Sequence, residues 1–204
     1  MITDRPPRKA ALLAGFRASD QRTELQLPPD PRLQLRAQAI EASLKGGKPP
    51  ALLHACSEFL RVAADFYRVE SPGIRVLAAR PLRVYEGGGS MELFGDYNLG
   101  TRLIRVWMRT AVRRQVTSVG TFLSTLCHEF CHHLDCRGLG FRASPHTRGF
   151  YARAAILYHH ARGTPVKRLV WKKMPGNRWL IDWSAMRAST GARPASSSVT
   201  AAGQ

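Results

Sequence analysis

Apolar side chains recur at helical spacing along ALLHACSEFLRVAADFY, where Leu53, Phe59, Leu60, Ala63 and Phe66 define one stripe behind the Pro49-Pro50 pair. A shorter helix is predicted just upstream, with its start at Pro31 and its stop at Gly46-Gly47. From Ile74 to Trp107 the pattern changes to short runs of β-formers: Ile74 to Leu77, Leu82 to Tyr85, Met91 to Phe94 and Thr101 to Trp107. Pro81, Gly87-Gly88-Gly89 and Asn98-Leu99-Gly100 separate them, which predicts a small sheet of three or four strands with a flexible glycine turn. The helical period then returns. Ser118 is a candidate N-cap, Phe122, Leu126, Phe130 and Leu134 fall four apart, and Gly138 ends the run. A further helix is predicted with Ser144 as N-cap and Pro145 at its first position, running to Gly163. Two apolar runs, Val166 to Trp171 and Arg178 to Trp183, flank Lys172 to Asn177 and predict a β-hairpin with a Pro-Gly turn. Residues 1–30 mix Arg, Pro and Asp without period, and residues 188–204 are small and polar, so both ends are expected to be flexible. The fold class is α+β, with a main domain at 31–163 and the hairpin at 164–187.

Composition narrows the classes. With 44% hydrophobic and 22% charged residues among 204, the chain is not wholly disordered. No run approaches the ~18 apolar residues of a membrane helix. The early AALLAG run is too short for the core of a secretory signal, so a cytoplasmic location is expected. Cys56, Cys127, Cys131 and Cys136 are accordingly expected to be reduced, with Cys127 and Cys131 as core filler. Their spacing fits neither a redox pair nor a haem attachment. Net charge is +17, distributed as +3 over residues 1–96 and +14 over residues 97–204. Such a field attracts polyanions, which makes DNA or RNA a candidate partner. An excess of 25 Arg over 6 Lys also follows from GC-rich coding alone. Trp171, Trp179 and Trp183 either stack on unpaired bases or pack on the parent domain.

The chemistry sits in His128-Glu129-Phe130-Cys131-His132. Histidines at i and i+4 stand one turn apart on one helix face and can reach a single Zn²⁺. Glu129, beside the first histidine, is placed to take a proton from water at the metal and deliver it to a leaving amine. A catalytic zinc needs three protein ligands and an open position. His133, Asp135, His146, His159 and His160 are the candidates for the third. His133 points about 100° round the helix from His132, and Asp135 lies far along the axis, better suited to supporting a ligand or to solvation. A helix returning beside the first can deliver His146, whereas His159 and His160 suit a solvated helix end.

These residues resemble the SprT-like zinc metallopeptidases, a compact branch of the zincins. The resemblance runs from the strand at Thr101 to Met108, through the HExxH helix, to His146 and the aromatic Phe150 four residues on. It implies a zincin-like domain with His128, His132 and His146 as zinc ligands and Glu129 as catalytic base. It further implies that the strand before the helix is the edge that pairs with an extended peptide substrate, and that substrates include proteins associated with or crosslinked to DNA. Thr147 stands where the family commonly has glycine, and no cysteine-rich zinc ribbon follows, a metal-free hairpin taking its place. The expected activity is zinc-dependent peptide hydrolysis. The competing expectation is a zinc-stabilised nucleic-acid-binding protein without turnover, against which the intact Glu129 argues. No oxyanion donor is identifiable from the sequence, Arg148, Tyr151 and His133 being merely near in it.

Overall fold

The stripe of Phe122, Leu126, Phe130 and Leu134 becomes the buried spine of helix α4 (Val119–Arg137) in the computed structural model, which describes residues 1–84, 86 and 89–191. Ser118 caps α4 as expected, accepting a hydrogen bond from the Thr121 N–H at 3.2 Å. Helices α2 (Arg32–Gly46), α3 (Pro49–Tyr67) and α5 (Arg148–Arg162) pack round it. Leu33, Ile40, Leu52, Phe59, Leu60 and Leu157 are fully buried there, each worth about 1.5–3 kcal/mol of apolar transfer. On α3 the buried face is rotated slightly from the expected stripe, so that Leu52 and Cys56 turn inward and Leu53 faces solvent.

A three-stranded sheet lies beside these helices in the order β1 (Gly73–Ala79), β5 (Leu103–Arg109), β4 (Gly95–Asn98). Strand β1 runs parallel to β5 with Val76 opposite Val106, and β4 runs antiparallel with Tyr97 opposite Ile104. Ile104, Val106 and Met108, at period two on β5, face the core. The other expected strands form a separate ribbon of β2 (Leu82–Val84) and β3 (Ser90–Glu92). They bury almost nothing, so no apolar face ties them to the sheet. Arg80 anchors the base of this ribbon, its guanidinium donating to Glu92 and to Thr117 at 3.0 Å each. The predicted glycine turn falls partly on Gly87 and Gly88, outside the described residues.

The first thirty residues, expected to be flexible, contain helix α1 (Ala10–Gln21), packed on α5 through Phe16 and Ser19. Its last turn approaches Gly149 so closely that a Cβ there would lie 2.1 Å from the Ser19 carbonyl oxygen. The Arg153 guanidinium donates to the Ser19 and Arg22 carbonyls, which closes this helix end. The hairpin is present as β6 (Trp171–Met174) and β7 (Arg178–Ile181), turning at Pro175-Gly176-Asn177 with φ of 75° and 54° at the last two. Helix α6 (Trp183–Gly191) follows, with Asp182 accepting from the Ser184 and Ala185 N–H groups. The expected tail 188–204 thus begins inside a helix, and 192–204 lies outside the described residues. Among the described residues no helix is long and apolar enough to cross a membrane.

Candidate metal centre

Helix α4 carries His128 and His132 one turn apart, and the segment before α5 brings His146 across to them. The Nε2 atoms of His128 and His132 each lie 3.1 Å from Nε2 of His146. His146 is not on a helix as the sequence suggested. Thr147, not Ser144, caps α5, accepting from the Phe150 N–H at 3.0 Å, so His146 sits in the loop just outside. Ser144 takes φ of 38° instead and turns its hydroxyl to the cluster. Phe150 lies fully buried beneath all three imidazoles, stacked on His132 with ring centroids 4.4 Å apart and edge-on to His128 and His146.

Hydrogen bonds select the tautomer. Ser144 Oγ donates to Asp135 Oδ2 at 3.1 Å and therefore accepts from His132 Nδ1 at 2.8 Å, which leaves the His132 Nε2 lone pair facing the cluster. Asp135 is itself buried and takes hydrogen bonds from Arg153 Nε and Nη2, so His132, Ser144, Asp135 and Arg153 form one chain of contacts. Burial holds the Asp135 carboxyl above its ordinary value, and the Arg153 guanidinium offsets only part of that rise. Burial, then the neighbouring imidazoles, hold His128 well below the usual histidine value, and His132 is pushed down to about 3 by burial and His146. Both are therefore neutral at pH 7, the form that ligates metals.

These donors suit zinc. Four-coordinate zinc with nitrogens at about 2.0–2.1 Å spaces its ligand atoms about 3.3 Å apart, close to the spacings found. The three ligand atoms all lie within 4.8 Å of one another. His133, next door on α4, is committed elsewhere: its Nε2 donates to the Glu70 carbonyl at 2.7 Å and its Nδ1 accepts from the Tyr97 hydroxyl at 2.9 Å. His159 is bonded to Thr164, and His160 lies near Gln34.

Glu129 is 6% exposed, and burial, aided by the Asp96 carboxylate, raises its pKa to about 8. It shares a cleft of about 390 Å³ with the three histidines, Asp4 and Asp96. Strand β4 forms one wall. A Cβ at Gly95 would stand 2.9 Å from Glu129 Oε1 and 2.5 Å from Thr125 Cγ2, so only glycine lets the strand come this close. The free edge beside the cleft is β4. Strand β5, which precedes the metal helix and was expected to be that edge, is paired on both sides and has no open ladder to offer.

Comparison with protein-family models, with characterised proteins and with solved structures returns no match. The site therefore stands on its geometry. Of the polar residues near the motif in sequence, Arg148 is paired with Asp20, the Tyr151 hydroxyl donates to the Ile2 carbonyl at 3.0 Å, and His133 is tied as described. Trp171 packs near Tyr151 and Trp179 lies under the Arg148 guanidinium, while Trp183 remains 45% exposed. Cys127 and Cys131 are buried and unpaired in the core, and burial raises both thiols. Asp4, Ser144, Tyr97 and Arg153 carry no spacing signal in the sequence. Only the fold brings them to the site.

Proposed function

We propose that this chain is a zinc-dependent peptidase of the SprT-like kind, with His128, His132 and His146 as ligands and Glu129 as general base. The observation that carries the reading is the convergence of three imidazoles, those of His128 and His132 held neutral by burial, beside a buried, non-ligating carboxyl group in an open cleft. A site serving structure alone has no use for such a base and ordinarily fills its fourth position with protein. Zinc held there supplies Lewis acidity, polarising a peptide carbonyl and making water more acidic. Glu129 then takes the proton from the attacking water at its carboxylate and passes it to the leaving amine. Its pKa, raised to about 8 without metal, favours holding that proton between the two events, and the charge of a bound cation would favour the ionised form that first accepts it. The free edge of β4 offers backbone donors and acceptors to an extended peptide, holding the scissile bond across the cleft. On the other side of His128, an apolar cavity of about 390 Å³ between α4, α5 and the hairpin gives room for a large apolar side chain.

Association of the substrate with DNA is the finer part of the proposal. It is supported by the +14 charge of residues 97–204, with Arg113, Arg114, Lys172 and Lys173 all facing solvent. The experiment is digestion of a DNA-bound basic protein by wild type and by Glu129→Gln, each with and without DNA. Cleavage by wild type that is stopped by a chelator and by Glu129→Gln, and stimulated by DNA, is the expected result. Equal DNA affinity in both forms with no cleavage would replace the peptidase by the zinc-stabilised binder. Cleavage indifferent to DNA keeps the peptidase and discards the nucleic acid.

A further inference from the structure

Two of the three histidines are fixed by a helix, and the third is not. His146 lies in the irregular stretch between α4 and α5, where Gly140 and Ser144 both take positive φ. A ligand on such a segment loses orientational freedom when it binds a metal unless something else holds it. Besides the rings of Phe150 and Tyr151, Asp4 is what holds it. The Asp4 N–H donates to the His146 carbonyl at 2.8 Å, and the His146 N–H donates to Asp4 Oδ2 at 2.9 Å. The same carboxylate oxygen stands 3.5 Å from His146 Nδ1. One carboxylate thus meets both the backbone and the far ring nitrogen of His146, on the side opposite the Nε2 that faces the cluster.

Asp4 is in turn held by the hairpin. Thr3 N–H donates to the Trp179 carbonyl and Trp179 N–H to Thr3 Oγ1, both at 2.8 Å. Ile181 N–H donates to the Met1 carbonyl at 3.0 Å, and Ile2 forms an isolated antiparallel bridge with Leu180, so residues 1–3 lie along β7. The Tyr151 hydroxyl fastens the same segment to α5. We infer that Asp4 is a positioning residue for the third histidine, and that residues 1–4 laid against the hairpin are the frame that orients His146 toward the metal. The carboxylate, 3.5 Å from Nδ1, favours the tautomer protonated at that nitrogen, which leaves Nε2 free and makes the imidazole a better donor. This inference rests on the three-histidine metal reading but not on catalysis.

The test is metal affinity on the full chain. Zn²⁺ alone is titrated into metal-free protein against a chromophoric chelator, and Co²⁺ absorption reports the ligand geometry. Asp4→Asn keeps an oxygen for the His146 N–H and removes the charge; Asp4→Ala removes both. Both are expected to weaken Zn²⁺ binding about 10- to 100-fold, Asp4→Ala more, with an altered Co²⁺ spectrum and little change in the melting temperature of the metal-free protein. His146→Ala serves as the reference. If it loses Zn²⁺ strongly while Asp4→Asn and Asp4→Ala bind like wild type, the role given to Asp4 is overturned and the metal site stands. If His146→Ala itself binds like wild type, the three-histidine reading fails. A lowered metal-free melting temperature in Asp4→Asn with unchanged affinity would make Asp4 a fold contact only, and would also overturn the inference.

Discussion

At the scale of single residues, the site depends on what is missing as much as on what is present. Gly95 has no side chain, and its absence makes room for the Glu129 carboxylate against β4. Gly95→Ala is expected to displace Glu129 or the strand, lowering peptidase activity at least 10-fold while Zn²⁺ content stays near one per chain, as read by metal analysis beside an activity assay. Titration gives a second prediction. In metal-free protein the folded pKa values of His128 and His132 lie below the ordinary ~6.5. The unfolded chain therefore binds more protons, and the stability these residues contribute is complete above pH ~6.5 and lost as pH falls toward 3. Glu129 runs the other way, because its folded pKa of about 8 exceeds the ordinary value of 4.5. Its contribution is complete below pH 4.5 and lost as pH rises to 8. Glu129→Gln is therefore expected to stabilise the metal-free protein at pH 8 relative to wild type, by a margin that shrinks as pH falls to 4.5. Urea unfolding at pH 5 and pH 8 measures this. Equal effects at the two pH values would mean that Glu129 is not a buried, protonating carboxyl.

At the scale of elements, legibility followed local physics. Helix α4 could be read because a four-residue apolar stripe, a serine cap and a closing glycine all agree, and the same helix fixes His128, Glu129 and His132 by spacing alone. His146 was legible as a residue but not in its setting. Ser144-Pro145 and Thr147 are both plausible helix starts, and the choice is made by Asp135 and His132, which take the Ser144 hydroxyl for their own network. Helix α1 was not legible because its stability is not local: it buries only Phe16 and Ser19, and its end is closed by Arg153 from α5. The edge role of β4 was equally hidden, since pairing order in a sheet is a property of three strands together. With backbone oxygen 2.1 Å from the position a Cβ would take, Gly149→Ala must push α1 off α5, and is expected to cost about 1–3 kcal/mol in urea unfolding. The Arg153 to Asp135 pair is loosened with it, so Zn²⁺ affinity is expected to fall in the same variant.

At the scale of the whole molecule, the charge asymmetry was readable from the start, and the hairpin with it. The structure adds that two of the three tryptophans are already covered by Tyr151 and Arg148, which leaves Trp183 and the solvent-facing Lys and Arg side chains to meet any polyanion. What no local pattern announced is that residues 1–3 pair with residues 179–181. Ile181 N–H reaches back to the Met1 carbonyl across nearly the full span of the chain. Contacts so distant in sequence close late, because the loop entropy is lost before the pairing returns anything. During synthesis, α4 and its histidine pair leave the ribosome well before β7 exists to seat Asp4 beside His146. On the proposed metal reading, the emerging chain is expected to pass through a stage with two well-placed histidines and a third still unoriented, which would hold zinc only weakly. In refolding experiments, helix content by circular dichroism is expected to recover first and tight Zn²⁺ retention last. A chain built this way completes its histidine cluster only when its last described strand is in place, a timing made from nothing more than connectivity.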